Sequence, residues 1–161
     1  MDEIKLHHRI NMLNADYARC IDDDRMEEWP EFFVEDCLYK ITTADNHAKG
    51  REAGLVYADS RDMLKDRVSA LREANIYERQ RYRHMTGVPS VKASRSGPQG
   101  FEAEVEVPFL VTRIMRDGSM DVFATGRYLD IVVESEGRLR FRQRLAVCDS
   151  NRFDTLVALP L

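Results

Sequence analysis

Cysteine is scarce. The 161 residues contain three, Cys20, Cys37 and Cys148, an odd number without paired spacing. That excludes a disulfide framework and predicts reduced, mostly buried thiols. It also leaves no clustered motif for structural zinc or for an iron–sulfur cluster. Long apolar runs are missing, and none approaches the ~20 residues that span a bilayer. The first residues, MDEIKLHHRINML, are charged and lack the apolar core of a signal peptide, so a cytoplasmic protein that does not enter a membrane is expected. A basic excess is missing too. The net charge of −4 and the pI near 5.6 argue against a nucleic-acid partner.

Catalytic signatures are equally sparse. There is no G-x-S-x-G elbow, no phosphate-binding G-x-x-x-x-G-K-[ST] loop and no G-x-G-x-x-G. Nothing local would lower the pKa of Cys148, which stands beside Asp149. Of four histidines, His7 and His8 are adjacent and would point about 100° apart on a helix, so they form no i, i+4 metal pair. His47 and His84 stand alone, and a two-histidine, one-carboxylate iron site would need distant folding. No metal site is expected on this chain.

What is present is one ordinary globular domain, residues 1–161, with 43% hydrophobic and 32% charged residues. Residues 3–21 place Leu6, Ile10, Leu13, Tyr17 and Cys20/Ile21 on one stripe of a helix. A second helical segment is expected over 25–33, and a third over 60–74, with Leu64, Val68 and Leu71 inward and Asp59 or Ser60 as N-cap. From about residue 80 the period becomes two. In FEAEVEVPFLV the odd positions from Phe101 to Val111 are apolar and Glu102, Glu104 and Glu106 are charged, as in a half-buried antiparallel strand. Pro108 marks an edge or a bulge. Asp117-Gly118 signals a two-residue hairpin, and a second turn falls at Glu136-Gly137. RYRHMTGVPSVKAS reads as one earlier strand and CLYKITTA as a shorter one; 44–58 reads as a loop with a short extended piece. Helices first, then an antiparallel meander, predict an α+β fold.

The acidic stretch DDDRMEEWPEFF, residues 22–33, holds six carboxylates in twelve residues. It reads as architecture. Asp24 caps a helix, Glu27 completes a capping box, and Trp29 before Pro30 breaks the helix. Met26, Trp29 and Phe33 then face the core and the carboxylates face water. Two candidate functional features remain. His84 on a strand could meet Tyr17 or Asp36 in a pocket and run proton transfers, although Tyr17 and His84 read more readily as ordinary half-buried residues with satisfied hydrogen bonds. In RLRFRQRLAV, period two puts Arg138, Arg140, Arg142 and Arg144 on one sheet face, which is either solvated or an interface to an acidic partner. The apolar tail DTLVALPL, with Leu159 and Leu161, is expected to lie against this chain or a neighbour.

Three stretches resemble one family. LNADYARCIDDDRMEEWPEFFVEDCLYKI, ADSRDMLKDRVSALREANIYERQRYRHMTG and RLRFRQRLAVCDSNRFDTLVALPL are similar to the small (beta) subunits of aromatic-ring-hydroxylating, Rieske-type dioxygenases. The benzoate, anthranilate and salicylate branch is the nearest in pattern. The YA…D…W…F pattern of the first stretch also occurs across small cone-fold proteins of the nuclear-transport-factor-two-like, cystatin-like and SnoaL-like type. The resemblance implies a curved antiparallel sheet around N-terminal helices. It implies a large (alpha) subunit that carries the Rieske [2Fe–2S] cluster and mononuclear Fe(II), and a trimer of large–small pairs. No cofactor and no catalytic residue on this chain are implied. The other function that the residues allow is a free-standing isomerase, dehydratase or cyclase using Tyr17, Asp36 and His84.

Overall fold

A computed structural model of the protein describes residues 1–51, 54–74, 80–152 and 159–161. Helix α1 (Glu3–Asp22) starts at Asp2, whose carboxylate accepts from the Ile4 N–H. Its inner stripe holds Leu6, Ile10, Leu13, Tyr17, Cys20 and Ile21, as the spacing predicts. A 3₁₀ segment (Met26–Phe32) follows, then β1 (Phe33–Thr43), the short α2 (Ala44–Ala48) and β2 (Val56–Ala58). Helix α3 (Arg61–Glu73) is capped by Ser60, whose hydroxyl accepts from the Met63 N–H. Five strands complete the chain: β3 (Gln80–Thr86), β4 (Ser90–Gly97), β5 (Gly100–Met115), β6 (Met120–Ser135) and β7 (Arg138–Cys148).

The strands form one sheet in the order β2-β1-β7-β6-β5-β3, with β4 also paired to β5. The pairing is antiparallel except between β1 and β7, which run parallel. The chain therefore departs from a pure meander: its first long strand returns to lie beside its last. The alternation read in β5 holds, with Phe101 to Val111 buried at odd positions.

The stretch 81–94 is two strands, not one. β3 pairs with Phe109–Met115 and β4 with Phe101–Glu106, both on the same edge of β5. The break falls at Pro108. Its carbonyl accepts from the Gly87 N–H at 2.8 Å, so its donorless nitrogen, on the same side of the strand, faces the gap between β3 and β4. The turn at Glu136-Gly137 falls where expected, and the one at Asp117-Gly118 differs in kind. Glu136-Gly137 is the two-residue hairpin, both residues having positive φ. Asp117-Gly118 sits in a four-residue connection in which the Asp117 carboxylate accepts from Ser119.

The acidic stretch is built differently from its sequence reading. Asp24 is no N-cap: it adopts a left-handed φ of 59° after α1 has ended. The 3₁₀ segment has no side-chain cap. Asp24 and Glu27 instead clamp Arg72 of α3, with the Arg72 Nε to Glu27 Oε1 at 2.7 Å and an Nη to Asp24 Oδ1 at 2.9 Å. Met26, Trp29 and Phe33 are buried as expected.

Several strands carry one extra residue: Lys92 in β4, Phe123 in β6 and Arg142 in β7, while β1 slips between Phe33 and Leu38. Such bulges bend strands and tighten their twist. The sheet thus curls around α1, which touches both edge strand β3 and interior strand β7. Close approach of β6 to β7 requires a glycine at 126, where an added Cβ would lie 2.1 Å from the Val147 carbonyl oxygen. Gly126→Ala is expected to destabilise the fold by about 1–3 kcal/mol through overpacking, read as a lowered midpoint in urea unfolding.

Candidate functional site

The inner side of the curled sheet is filled by a buried ion pair inside a ring of aromatic side chains. Arg144 of β7 lies opposite Asp130 of β6 in register. Its Nε and one Nη donate to the two carboxylate oxygens at 3.0 and 2.7 Å. The same Nη donates to Asn14 Oδ1 of α1, and the Asn14 amide donates to the Ile10 carbonyl at 3.0 Å. The guanidinium carbon lies 4.4, 3.8 and 3.9 Å from the ring centres of Tyr17, Tyr128 and Phe141. These cation–π contacts offset part of the cost of burying the charge. Both members are enclosed, at 0% and 1% side-chain exposure. Burial opposes the Arg144 charge, but Asp130 outweighs it and holds the guanidinium protonated. Burial likewise pushes the Asp130 carboxyl up while Arg144 pulls it back; the two-point geometry at ion-pair distance favours the ionised pair.

The bulge at Arg142 explains why one strand delivers both Phe141 and Arg144 inward. An extra residue shifts the alternation by one, so residues three apart share a face. This corrects the expectation that the four arginines share one face. Arg138 and Arg142 are exposed, and Arg142 pairs with Glu102. Arg140 is buried, donating to the Glu31 carbonyl at 3.1 Å and the Ser135 carbonyl at 2.8 Å. Arg144 is the centre of the core. Leu159 and Leu161 are buried against this same chain. Pro160 between them is buried too, and residues 154–158 of the expected apolar tail lie outside the described residues.

The proposed proton-transfer set is not assembled. The Tyr17 hydroxyl donates to the Leu161 carbonyl at 2.8 Å, and Tyr39 donates to that oxygen at 3.1 Å. Burial pushes the Tyr17 phenol up to about 12, far from a group that exchanges protons at neutral pH. Asp36 is exposed, in the stretch where β1 slips against β7. His84 turns to a different carboxylate. Its Nδ1 lies 2.6 Å from Asp22 Oδ1, and its backbone N–H donates to Asp22 Oδ2 at 2.8 Å. Both side chains are enclosed, at 0% and 2% exposure. Asp22 therefore leaves the water-facing role read for the acidic run and ties the end of α1 to β3. Sequence reasoning missed Asp130 and Asn14 as well. The one available signal was Asp130 in the apolar stretch RYLDIVVE, a charge on a strand that otherwise reads as core.

The thiols of Cys20, Cys37 and Cys148 are free and buried. Burial raises them to about 11, 11 and 12. Among the described residues no group of three or more His, Cys, Asp or Glu is placed to hold a metal ion, and no helix is long and apolar enough to cross a membrane. A Rieske centre takes two cysteines and two histidines, and the separated, buried thiols here do not fit one.

A helix held inside a curled, mostly antiparallel sheet defines the class of small cone-shaped α+β proteins. A scytalone-dehydratase-assigned protein of Novosphingobium aromaticivorans shares this fold, with a TM-score of 0.67 at 21% identity, covering 91% of this chain and 86% of that one. The family described as ring hydroxylating beta subunit matches residues 16–155. The terminal oxygenase subunit beta 1 of a terephthalate 1,2-dioxygenase from a Comamonas species is 54% identical, over 95% of this chain and 97% of its own length. The small subunit of an anthranilate 1,2-dioxygenase from Burkholderia cepacia is 38% identical, over 99% and 97%. A crystal structure of a beta subunit assigned to an aromatic-ring-hydroxylating dioxygenase of N. aromaticivorans superposes with a TM-score of 0.86 at 35% identity, covering 97% of each chain. The chain belongs to the ring-hydroxylating beta-subunit family: it is a small subunit of a ring-hydroxylating dioxygenase, an oxidoreductase at the level of the complex.

Two outcomes follow from the ion pair and the Arg72 clamp. Asp130→Ala leaves Arg144 buried without its counter-charge and is expected to cost about 3–5 kcal/mol. The double change Asp130→Leu, Arg144→Met should recover much of that in denaturant unfolding. Hydrogen bonds from Arg72 hold the Glu27 carboxyl down at about 2 from its ordinary 4.5. A depressed carboxylate stabilises above its unfolded pKa, and that contribution fades as pH falls from 4.5 toward 2. The Glu27 side chain is 64% exposed, so about 1 kcal/mol or less is expected. Glu27→Gln should flatten the acid limb of a melting-temperature profile over that range.

Proposed function

We propose that this chain is a non-catalytic, structural subunit: it holds together the oxygenase complex of an enzyme that oxidises aromatic carboxylates in aromatic catabolism. The observation that carries this reading is the filled interior. The space enclosed by the curled sheet holds Arg144, Asp130 and their rings, and the Tyr17 and Tyr39 hydroxyls are both directed at the Leu161 carbonyl. Tyr17, Asp36 and His84, the residues of the isomerase or dehydratase alternative, have three separate settings. The substrate class rests on relatives named for terephthalate and anthranilate, both aromatic carboxylates.

The redox groups belong on the large subunit in this reading: a Rieske [2Fe–2S] cluster and a mononuclear Fe(II). The chain contributes surfaces. It binds the large subunit and further copies of itself in a trimeric assembly in the cytoplasm, without nucleic acid or membrane.

Co-expression with the large subunit tests the proposal. The two chains are expected to co-purify, with iron and cluster absorbance lost when the large subunit is omitted and no aromatic oxidation by the small chain alone. Tyr17→Phe removes one hydrogen bond, so it should cost about 1 kcal/mol of stability. In the complex it should leave kcat within about twofold, where loss of a general acid or base would cost about a hundredfold or more. Turnover by the isolated chain, or a hundredfold fall in kcat for that variant in a folded complex, would overturn the structural role.

A further inference from the structure

Residues 159–161 lie in no helix or strand, yet all three are buried, Leu161 completely. Side chains hold Leu161 in place. Its carbonyl oxygen accepts from the Tyr17 hydroxyl of α1 at 2.8 Å and from the Tyr39 hydroxyl of β1 at 3.1 Å, and its N–H donates to the Tyr39 oxygen at 3.0 Å. One phenol thus reads both polar atoms of the residue, and a second shares the carbonyl. The rings of Tyr17, Trp29, Phe33, Tyr39 and Phe141 meet edge to face, with centres 5.2–6.3 Å apart, in one continuous aromatic wall. The enclosed Trp29 indole N–H approaches the Tyr17 hydroxyl without completing a hydrogen bond. Leu159, at the other end of the segment, lines a cleft of about 660 Å³ between the ends of α1 and α3 and strand β3.

Two hydroxyl donors that converge on one carbonyl oxygen beside an aromatic wall are the arrangement that proteins build for the carbonyl group of a ligand. A buried phenol without a partner is costly. Whatever the site holds must therefore present an acceptor to both hydroxyls, and here a segment of the same chain does so. Charge decides the class of occupant. Burial pushes the Tyr17 phenol up to about 12 and raises Tyr39 well above its ordinary value, so both are neutral donors. The enclosed Arg144 is already balanced by Asp130. An ionised guest would arrive without a counter-charge, whereas an uncharged amide offers the same N–H and C=O that Leu161 presents.

We infer that residues 159–161 occupy, in cis, a binding site for a small uncharged amide with an aromatic or branched apolar body, and that Tyr17 and Tyr39 are its recognition groups. Guest and segment exclude each other, because both need the same two hydroxyls. In the intact chain the covalently attached segment competes at high effective concentration and keeps the site closed. Once the segment leaves, the cleft at Leu159 joins the site to solvent. The inference rests on the filled interior that carries the structural reading above, and it adds what does the filling: part of the interior is closed by the chain's own last described residues, in a place shaped for a ligand.

Isothermal titration calorimetry with benzamide and with benzoate tests it. The full wild-type chain is compared with the full-length variant Leu159→Asp, Leu161→Asp, whose charges expel the segment from the apolar interior, and with a chain lacking residues 159–161. Benzamide is expected to bind both altered chains at least about tenfold more tightly than the wild type, and benzoate at least about tenfold more weakly than benzamide. Tyr17→Phe with Tyr39→Phe, added to the double-aspartate variant, should remove the gain. Where an altered chain does not fold alone, benzamide or the peptide acetyl-Leu-Pro-Leu-amide should restore its near-ultraviolet circular dichroism, since a guest that binds only the folded state stabilises it. Folded altered chains that bind benzamide no better than the wild type overturn the inference. So do unfolded ones that neither compound restores, a gain that survives loss of both hydroxyls, and tighter binding of benzoate than of benzamide. The structural-subunit reading fails on a different result, the absence of co-purification of wild-type small and large chains.

Discussion

The Arg144–Asp130 ion pair is the constraint around which the rest of the molecule is arranged. A guanidinium enclosed by protein needs its charge opposed and its donors engaged; Nε and one Nη of Arg144 are engaged, while the other Nη has only ring faces around it and no hydrogen-bond partner among the described residues. Asp130 supplies the charge from the adjacent strand, Asn14 supplies an acceptor from α1, and Tyr17, Tyr128 and Phe141 supply ring faces. Three elements must therefore meet at one point: β7, β6 and the helix. The bulge at Arg142 makes this geometry possible by bringing Phe141 and Arg144 to one side of the strand.

A filled interior changes what such a fold can do. Scytalone-dehydratase-type and ring-hydroxylating beta-subunit proteins share this architecture, and fold alone does not decide between chemistry and assembly. Here Arg144, Asp130, Asn14, Tyr17 and Tyr39 are bonded to interior partners, while the Tyr128 hydroxyl and one Nη of Arg144 have no hydrogen-bond partner among the described residues. The phenols of Tyr17 and Tyr39 hold the Leu161 carbonyl, and burial raises both well above their ordinary range.

The acidic run shows how one composition serves two environments. Asp22, the last residue of α1, is enclosed with His84. Two residues later, Asp24 has turned outward through a left-handed conformation and, with Glu27, grips Arg72. The helix end and the turn after it thus lock to β3 on one side and to α3 on the other, and the Trp29–Phe33 apolar side closes the core beneath them.

The sequence by itself determined the α+β class, the helical stripes of α1 and α3, the alternation of β5 and the family resemblance. Each depends on local periodicity or on a contiguous pattern, which a linear string preserves. It also determined that Met26, Trp29 and Phe33 are core. Only the tertiary structure decided that β1 runs parallel to β7, that His84 pairs with Asp22 and not Asp36, and that Arg140 and Arg144 leave the surface. Parallel pairing joins distant residues and has no local signal. A single bulge residue reverses the facing of everything beyond it, so strict period two misplaced Arg144. The partner of a buried charge is chosen by proximity in space, and proximity between residues 14, 130 and 144 exists only once the sheet has curled around the helix.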